Sequence, residues 1–443
     1  MGKYFGTDGA RGVANKQITG ALAYRIGRYI GQCKEGRKNK ILIASDTRIS
    51  GKLLGDAVGV GIVSSGSDVY NIGVSTTPSV SYLVRKHGFD YGVMIPASHN
   101  PYYDNGIKVF NSQGEKLDEE SENKIEEYID SFSDNLPLMT NENIGRHIPC
   151  DELVNEYVDF LVSKADPKVK NLRVFIDCSN GSSSDIAPRV LRKLGVDFEV
   201  VANNPDGLNI NDRCGSTHIE HDSEKVQKGN FNVGFAFDGD ADRCLALTRD
   251  GEVIDGDQLI YMNAINLKKH GKLAGNTVVI TVMSNLGLKK ALAEEGLDYH
   301  ETTVGDKYVQ ADMKTNKLSL GGEQSGHIIF LDDLNTGDGV LTMIHTLNVM
   351  ATENKELKEL VAKLKIYPQS LRNVMVTNKE AVLSNHGFKE KVKELEDSLQ
   401  GNGRILVRAS GTEPKIRVMC EAPTQEQCDK ITSILAAYVE EIR

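Results

Sequence analysis

The chain has 443 residues, of which 40% are hydrophobic and 26% are charged, and its formal net charge is −10 at pH 7. This length and composition are typical of a globular protein with about three or four domains. The acidic balance argues against nucleic acid as a partner, because binding a phosphate backbone requires clustered Lys and Arg. A small anionic substrate held by a few local cations is compatible with the same balance.

The cysteines and the hydropathy pattern indicate the cellular compartment in which the protein works. The seven cysteines are dispersed and include no C-x-x-C pair: Cys33, Cys150, Cys178, Cys214, Cys244, Cys420 and Cys428. We therefore expect free thiols in a reducing cytosol rather than a disulfide framework or a zinc–cysteine site. The N-terminal stretch lacks the apolar region of a secretory signal, and no apolar run of about 18 residues follows. The sequence predicts a cytoplasmic protein with no membrane span and no membrane partner.

Short apolar runs alternate with amphipathic stretches in three blocks along the chain. The first block predicts strands at 41–46, 68–73 and 91–98, with helices at 51–66 and 77–88. The second predicts strands at 172–179, 197–202 and 233–238, with a helix at 184–195. The third predicts strands at 277–284 and 297–304, with a helix at 285–296. This repetition predicts three similar mixed α/β domains whose sheets are largely parallel.

The C-terminal part of the chain follows a different pattern. It predicts strands at 371–377, 403–410 and 416–422, with helices at 388–400 and 424–442. This is typical of a smaller α+β domain with antiparallel strands. Polar or proline-marked segments then predict domains at 1–150, 151–250, 251–366 and 367–443.

The stretch "IPASHNPYYDNGIKVF" (95–110) places a serine beside a histidine, which suggests nucleophilic catalysis. Adjacent side chains on an extended chain point to opposite faces. We therefore expect His99 to be badly placed as a base for Ser98.

The densest acidic cluster is "FDGDADR" (237–243), at the end of an apolar strand. Alternate spacing can bring the carboxylates of Asp238, Asp240 and Asp242 together on one side of a loop. Like charges at that distance need a cation, and oxygen ligands favour Mg²⁺ or Ca²⁺. An EF-hand is excluded, because its required Gly and Glu positions hold Arg243 and Arg249. The alternative is a solvated acidic turn.

The stretch "RASGTEPKIR" (408–417) is a candidate phosphate site. Its tight turn offers the hydroxyls and amides of Ser410, Gly411 and Thr412, with Arg408 and Arg417 on either side. Such a turn with guanidinium groups suits a phosphate. A β-turn with surface arginines is the alternative.

Two glycine-rich stretches have weaker patterns. "GGEQSGH" (321–327) carries Glu323, Ser325 and His327, which could bind sugar hydroxyls or form an ordinary hairpin turn. "FGTDGARG" (5–12) carries Asp8 and Arg11, and could be an anion-binding loop or a flexible terminus.

The stretch "HIEH" contains two histidines three positions apart, His218 and His221. Because the sequence shows no third ligand nearby, we expect surface or loop histidines rather than a zinc site.

Together these stretches resemble the α-D-phosphohexomutases. "ASHNP", "DGDADR", "GEQSGH", "RASGTEP" and "FGTDGARG" stand in that family's order and spacing, and the resemblance covers essentially the whole chain. It implies three similar α/β domains and a smaller C-terminal α+β domain around a central cleft. These would be a phosphoserine-loop domain, a metal-binding domain, a sugar-binding domain and a phosphate-binding domain, in chain order.

The resemblance also implies an activity. Within the family, "FGTDGARG", the length and Gln324 are most similar to the bacterial branch that interconverts glucosamine 6-phosphate and glucosamine 1-phosphate for UDP-N-acetylglucosamine synthesis. The intermediate there is a 1,6-bisphosphate, and a bisphosphate is the activator. The alternatives are a mutase that prefers phosphomannose or phosphoglucose and a non-catalytic sugar-phosphate binding protein. A homodimer is compatible with the resemblance.

Roles for individual residues follow only from the resemblance. Ser98 would carry the phosphoryl group and, through its phosphate, help Asp238, Asp240 and Asp242 to bind Mg²⁺. Arg11 and Lys108 would lie near the transferred group, with Lys108 or His327 as general acid/base. The groups implied in substrate binding are Arg243, Glu323, Ser325 and Lys307, which stands where the family usually has Arg. The groups implied in distal phosphate binding are Arg408, Ser410, Gly411, Thr412 and Arg417.

Overall fold

The structure is a computed structural model that describes residues 2–6, 8–33, 37–131, 133–410 and 414–442. The chain divides into two compact units. The larger unit is Met1–Met283 with Leu297–Ala362, and the smaller unit is Ser284–Gly296 with Lys363–Arg443.

Strands and helices alternate along most of the chain. In chain order the strands are β1 Phe5–Gly6, β2 Gly9–Val13, β3 Lys40–Ser45, β4 Asp68–Val74, β5 Tyr91–Ile95, β6 Asp104–Asn111, β7 His147–Pro149, β8 Arg173–Asp177, β9 Asp197–Val201, β10 Val233–Phe237, β11 Cys244–Thr248, β12 Val253–Ile254, β13 Thr277–Thr281, β14 Asp298–Thr302, β15 Leu320–Gly322, β16 Ile328–Phe330, β17 Gln369–Met375, β18 Arg404–Ala409 and β19 Lys415–Glu421. The α-helices are α1 Gly20–Ile30, α2 Ile49–Ser64, α3 Thr77–His87, α4 Glu119–Asp130, α5 Val154–Ser163, α6 Ser183–Leu194, α7 Ser223–Lys228, α8 Gly256–Lys269, α9 Leu286–Glu294, α10 Asp306–Asn316, α11 Gly339–Glu353, α12 Leu357–Val361, α13 Lys379–Ser384, α14 His386–Ser398 and α15 Gln425–Ile442.

The first sheet has the order β1-β2-β6-β5-β3-β4-β7. Strands β5, β3, β4 and β7 are parallel, whereas β1, β2 and β6 add antiparallel strands at one side. Helices α1 and α2 pack closely because Gly27 and Gly61 face the partner backbone. A Cβ atom added to Gly27 would lie 2.1 Å from the carbonyl oxygen of Val58. Neither glycine can carry a side chain unless the helices separate.

The N-terminal strand is fixed by one buried carboxylate on α4. Glu126 accepts hydrogen bonds from the backbone amides of Lys3, Tyr4 and Phe5 at 2.8, 2.7 and 2.7 Å. This contact holds β1 beside β2, and the loop between these strands carries Asp8. The N-terminal glycine-rich stretch is therefore built into the first sheet.

The second and third sheets repeat this plan. The second has the order β12-β11-β10-β8-β9, with β10, β8 and β9 parallel and β11 and β12 antiparallel. The third has the order β14-β13-β15-β16, where only β16 is antiparallel to its neighbour. Each parallel part presents the carboxyl ends of its strands at one edge, where sites of α/β domains are usually found.

The smaller unit contains the sheet β17-β19-β18, which is antiparallel throughout. Its core is formed by apolar residues of these strands and of α13, α14 and α15. Helix α9 also belongs to this unit, because the Leu286 amide donates to Glu421 at 2.9 Å and Arg404 donates to the Ser284 carbonyl at 2.6 Å.

The prediction of three mixed α/β domains followed by a smaller α+β domain is confirmed. Each predicted strand or helix overlaps an observed element of the same kind. The expectation of largely parallel sheets overlooked the antiparallel strands β2, β6, β11, β12 and β16. Several of these elements are short or glycine-rich, such as "GARGV" in β2, and so lack the apolar pattern that marks a strand.

All seven cysteines are free thiols. Among the described residues, no helix combines the length and the apolar character that crossing a lipid bilayer requires.

Candidate active site

Ser98 lies in the loop that follows β5, and its side chain is completely buried. Its backbone φ is +47°, a left-handed conformation that residues other than glycine rarely adopt. Its Oγ atom donates a 2.5 Å hydrogen bond to Oδ2 of Asp238. The loop therefore holds the serine hydroxyl against the predicted metal cluster, and backbone strain of this kind is often found at functional sites.

The Ser98 loop is held from its carbonyl side by Arg48 and Asn211. The guanidinium of Arg48 donates to the carbonyl oxygens of Ser98 and Asn100 at 3.2 and 2.5 Å. The amide of Asn211 donates to the same two oxygens, at 2.9 Å each. Arg48 is itself paired with the buried carboxylate of Asp46. Neither Arg48 nor Asn211 was predicted from the sequence, although Thr47 and Arg48 directly follow the strand predicted at 41–46.

Asp238, Asp240 and Asp242 follow β10, and all three are buried. A ligand oxygen from each carboxylate lies within 4.8 Å of the other two. The Oδ1 atoms of Asp240 and Asp242 have no hydrogen-bond partner, which is costly for buried oxygens. Burial, followed by the charges of Asp242 and Asp240, raises the pKa of Asp238 well above its usual range. These carboxylates fit a divalent cation that prefers oxygen ligands, and a solvated acidic turn is excluded by their burial.

A second group of metal-ligand types is formed by His218, Glu220 and His221. Oε1 of Glu220 lies 3.7 Å from Nε2 of His221 and 4.0 Å from Nδ1 of His218. Glu220, which lies between the histidines in the sequence, is the third residue of this group and was not predicted. The histidines are partly or fully exposed, as expected for surface residues.

Lys108 is a buried cation among carboxylates. Its Nζ atom lies 2.8 Å from Oδ2 of Asp240 and 3.1 Å from both Oδ2 of Asp242 and Oδ1 of Asp8. Burial alone lowers the pKa of Lys108, but the charges of these three carboxylates outweigh it and raise the pKa well above its usual value. In this arrangement Lys108 holds its proton and compensates part of the negative charge.

A chain of ion pairs continues from Asp8 across the first and third domains. Oδ2 of Asp8 pairs with Arg11 at 2.5 Å, and Oδ1 pairs with Lys116 at 2.5 Å. Lys116 also lies 2.5 Å from Oδ2 of Asp306, which is 3.4 Å from Nε2 of His327. Arg11 and His327 were predicted from the sequence, whereas Lys116 and Asp306 were not, because no motif singles them out.

Arg243 and His99 lie beside Ser98. An Nη atom of Arg243 is 3.1 Å from Nδ1 of His99, which is 3.4 Å from Oγ of Ser98. The expectation that the Ser98 and His99 side chains face opposite sides is wrong, because the chain is not extended at Ser98. Burial, together with the charges of Arg243 and Arg11, lowers the pKa of His99 to about 4. The neutral ring is therefore a weak base at neutral pH.

The turn between β15 and β16 carries Glu323, Gln324 and Ser325. Glu323 accepts a hydrogen bond from the Gly305 amide at 3.2 Å, and burial raises its pKa. Gln324 donates instead to Asp255 at the start of α8, at 3.1 Å. Ser325 is exposed. The stretch is thus a hairpin turn. Through Glu323 it contacts Gly305, which directly precedes Asp306.

Lys307 lies next to Asp306, in the first turn of α10. Its Nζ atom is 5.5 Å from the centre of the Tyr308 ring, where a cation interacts favourably with the ring face. Its charge also acts on Glu122, whose pKa is raised to about 7 by burial despite the opposing effect of Lys307. Lys307 is half-buried.

The predicted phosphate loop lies in the smaller unit. Arg408 and Arg417 are directly opposite each other on β18 and β19. Burial, and then the charge of Arg417, lowers the pKa of Arg408. Ser410 is buried, and its carbonyl accepts a 2.8 Å hydrogen bond from Lys379. Two adjacent guanidinium groups favour an anion between them. Gly411 and Thr412 lie outside the described residues.

Four family models match the chain. They are described as phosphoglucomutase/phosphomannomutase alpha/beta/alpha domains I, II and III, at residues 2–135, 155–251 and 255–367, and as the C-terminal domain of the same proteins, at 371–437. A phosphoglucosamine mutase from Anoxybacillus flavithermus is 46% identical over 443 residues, which are 100% of this chain and 99% of that protein.

Solved structures show the same fold at lower identity. A phosphoglucomutase/phosphomannomutase family protein from Burkholderia thailandensis has a TM-score of 0.79 and 22% identity, covering 99% of this chain and 97% of that one. The N-acetylphosphoglucosamine mutase of Aspergillus fumigatus, in complex with GlcNAc-6P and magnesium, has a TM-score of 0.71 and 18% identity, covering 99% and 96%.

Proposed function

The chain belongs to the phosphoglucomutase/phosphomannomutase family, and on that premise we propose that it interconverts glucosamine 6-phosphate and glucosamine 1-phosphate. The observation that carries this proposal is the 46% identity, over the whole chain, to a protein named phosphoglucosamine mutase. The buried hydroxyl of Ser98, 2.5 Å from Asp238, supports it as the point where a phosphoryl group is carried.

In the proposed reaction, a phosphoryl group on Ser98 passes to the free hydroxyl of glucosamine 6-phosphate. The bond between phosphorus and Oγ of Ser98 breaks, a bond to the sugar oxygen forms, the proton of the sugar hydroxyl leaves to a base, and the freed Oγ takes up a proton. The glucosamine 1,6-bisphosphate reorients, and Oγ of Ser98 then loses its proton and forms a bond to the 6-phosphorus. The bond from that phosphorus to the sugar O6 breaks, O6 takes up a proton, and glucosamine 1-phosphate leaves. Phosphoryl transfer depends mainly on positioning and on charge stabilisation, which suits a site rich in buried charges.

Asp238, Asp240 and Asp242 would hold Mg²⁺ together with an oxygen of the Ser98 phosphate. When bound, the ion supplies Lewis-acid stabilisation of the charge on the transferred group. The unpartnered Oδ1 atoms of Asp240 and Asp242 support this role, and the related Aspergillus fumigatus structure contains magnesium.

The cations beside this cluster divide into two proposed roles. Arg11 and Arg243 would stabilise negative charge on the transferred phosphoryl group. Lys108 is our first candidate for moving the proton of the reacting hydroxyl, and His327 is the second. Because its pKa is raised in this arrangement, Lys108 is better suited to donate a proton than to remove one. His327 is therefore the second candidate for the group that removes the proton.

Substrate contacts away from the transferred group complete the proposal. Glu323 and Ser325 would bind the sugar hydroxyls, and Lys307 would contribute a positive charge. Arg408 and Arg417, with Ser410, Gly411 and Thr412 of the same stretch, would bind the distal phosphate. The facing pair of Arg408 and Arg417 supports that assignment.

We also propose a cytoplasmic enzyme that supplies UDP-N-acetylglucosamine synthesis and forms a homodimer. The free cysteines support the reducing compartment. The outer face of α2 supports a self-association surface, since Ile49, Leu53 and Val60 are 64%, 48% and 54% exposed. The exposed pair of Lys52 and Asp56 lies on the same side of α2, so a contact there would be partly polar.

The test is a comparison of kcat/KM for glucosamine 6-phosphate, mannose 6-phosphate and glucose 6-phosphate, with Mg²⁺ and a hexose 1,6-bisphosphate activator. We expect glucosamine 6-phosphate to be preferred by roughly 100-fold or more, because the differing substituent at C2 changes which hydrogen bonds can form. A preference for either neutral sugar would overturn the proposed substrate. Absence of turnover with all three would favour a non-catalytic binding protein.

A further inference from the structure

Lys116 joins two acidic residues that no motif connects. Its Nζ atom lies 2.5 Å from Oδ1 of Asp8 and 2.5 Å from Oδ2 of Asp306, and its side chain is 12% exposed. Asp8 comes from the turn between β1 and β2, whereas Asp306 is the first residue of α10 in the third domain. Lys116 therefore connects the first and third domains through one ammonium group that is largely shielded from solvent.

On the first-domain side, the contact reaches the groups assigned to phosphoryl transfer. Oδ1 of Asp8, which pairs with Lys116, is also 3.1 Å from Lys108, and Oδ2 pairs with Arg11. Asp8 thus pairs with three cations, of which Lys108 also contacts Asp240 and Asp242 and Lys116 also contacts Asp306. Removing Lys116 would leave Asp8 free to turn further toward Arg11 and Lys108.

On the third-domain side, the contact reaches His327, the second candidate for moving the proton, and Glu323, which is assigned to the sugar hydroxyls. Asp306 lies 3.4 Å from Nε2 of His327. The residue before it, Gly305, has a φ of +133°, which glycine tolerates, and donates its amide to Glu323 at 3.2 Å. The position of Asp306 therefore fixes the segment that holds the Glu323 carboxylate.

A buried lysine is costly unless it is compensated. Burial alone lowers the pKa of Lys116, but the charges of Asp306 and Asp8 outweigh it and raise the pKa above its usual value. Loss of the ammonium group would leave two carboxylates buried near each other. Each carboxylate would then move away from the other or pair with another cation of the site.

We propose that Lys116 is a positioning residue that sets the sugar-binding loop of the third domain in register with the phosphoryl-transfer groups of the first. This inference rests on the proposed mutase function. Lys116 acts through Asp8 and Asp306 and need not touch the substrate, so its loss should lower kcat more than it raises KM.

The chain offers a matched control in the neighbouring residue. Glu115 pairs with Lys314 at 2.7 Å, and this pair joins the same two elements, the segment after β6 and helix α10. Lys314 is 47% exposed, and neither residue contacts Asp8 or Asp306 among the described interactions. Among the described residues, two lysine–carboxylate ion pairs thus join the segment after β6 to helix α10, and of these two only the Lys116 pair reaches the site.

The experiment compares Lys116→Met, Lys116→Arg and Lys314→Met with the parent chain, on whichever hexose phosphate the parent turns over fastest. We expect Lys116→Met to lower kcat by roughly 10- to 100-fold with less than about a threefold change in KM, as expected for misplaced reacting groups. Lys116→Arg should recover most of kcat, because a guanidinium can bridge two carboxylates. Lys314→Met should stay within about twofold of the parent.

Two further measurements separate the outcomes. Intact mass should show the same phosphorylated fraction in Lys116→Met as in the parent, because Ser98 and the aspartates are unchanged. Asp306→Asn removes the charge that pairs with Lys116 at the third-domain end, and we expect a similar fall in kcat. This variant serves as the test if Lys116→Met does not fold. Equal effects of Lys116→Met and Lys314→Met, or parent-like kcat in Lys116→Met or Asp306→Asn, would overturn the proposal. A parent that prefers another hexose phosphate overturns only the proposed substrate.

Discussion

Oγ of Ser98 lies 2.5 Å from Oδ2 of Asp238, although the two residues are 140 positions apart in the chain. The contact joins the loop after a strand of the first sheet to the loop after a strand of the second. A phosphoryl group on this oxygen would be next to three buried carboxylates, an arrangement that is favourable only with a cation. The proposed phosphoserine and the proposed metal site are therefore physically dependent on each other.

Replacing Ser98 by Ala removes the proposed phosphoryl carrier. We expect kcat to fall by roughly a thousandfold or more, as when a covalent nucleophile is lost. Intact-mass analysis of the parent should show a fraction heavier by about 80 Da, the mass of one added phosphoryl group, and this fraction should be absent from the variant. Ser112→Ala, in an exposed turn, is the control and should keep both. Normal turnover by Ser98→Ala would disprove the assignment.

Replacing Asp240 by Asn tests the metal cluster. The change keeps the shape of the side chain but removes a charge, so we expect the maximal rate to fall by roughly 100-fold and the Mg²⁺ concentration for half-activation to rise. The measurement is a Mg²⁺ titration of turnover, with circular dichroism to check folding. Asp250→Asn removes an exposed carboxylate 59% accessible to solvent and should leave the titration unchanged. An unaltered Mg²⁺ dependence in Asp240→Asn would count against the cluster.

We expect the stability of the second domain to depend on pH because of the buried carboxyl group of Asp177. Burial, and then a hydrogen bond to Asp222, raises its pKa from 3.8 to about 7. The folded state therefore keeps a proton that the unfolded state releases, so this contribution to stability is complete below pH 3.8 and is lost as the pH rises toward 7.

The variant Asp177→Asn carries a permanent neutral group in the same place. The urea concentration at the midpoint of its unfolding should vary less between pH 4 and 8 than that of the parent. Over this range the unfolding free energy of the parent should change by about 2–4 kcal/mol more than that of the variant. Asp185→Asn, an exposed carboxylate of α6, provides the comparison. Parallel pH profiles for the parent and Asp177→Asn would contradict the shifted pKa.

Replacing Arg417 by Ala tests the distal phosphate site. Loss of one charged contact to the phosphate should raise KM for the sugar phosphate by roughly tenfold. Arg372 is an exposed arginine on β17 of the same sheet, and Arg372→Ala should leave KM unchanged. Equal KM values for Arg417→Ala and the parent would refute the role of Arg417.

The sequence revealed those parts of the site that are contiguous in the chain. Asp238, Asp240 and Asp242 could be identified because three carboxylates occur within five positions after an apolar strand. Arg48 and Asn211 could not, because their role depends on contacts to the Ser98 carbonyl across 50 and 113 positions. The bridging role of Lys116 likewise depends on an aspartate 190 positions later, and no local pattern encodes such a distance.

The same limit applies to the fold. Strands that carry a run of apolar residues, such as "VGFAF" in β10, were predicted close to their observed bounds. Strand β2, "GARGV", was missed because its conformation comes from pairing with β1 and β6 rather than from its own side chains. Local preference and tertiary pairing disagree there, and pairing determines the structure.

The bonds between Glu126 and the first backbone amides also constrain the order of events during protein synthesis. The partners are 121 to 123 positions apart, so residues 3–5 cannot reach their final position until α4 has left the ribosome. Asp8 and Arg11 follow directly after that segment, so they too reach their final positions only after α4 has been made. Residues 3–5 are thus fixed only after α4 has been made, and translation must pass residue 126 before this part of the first domain can close.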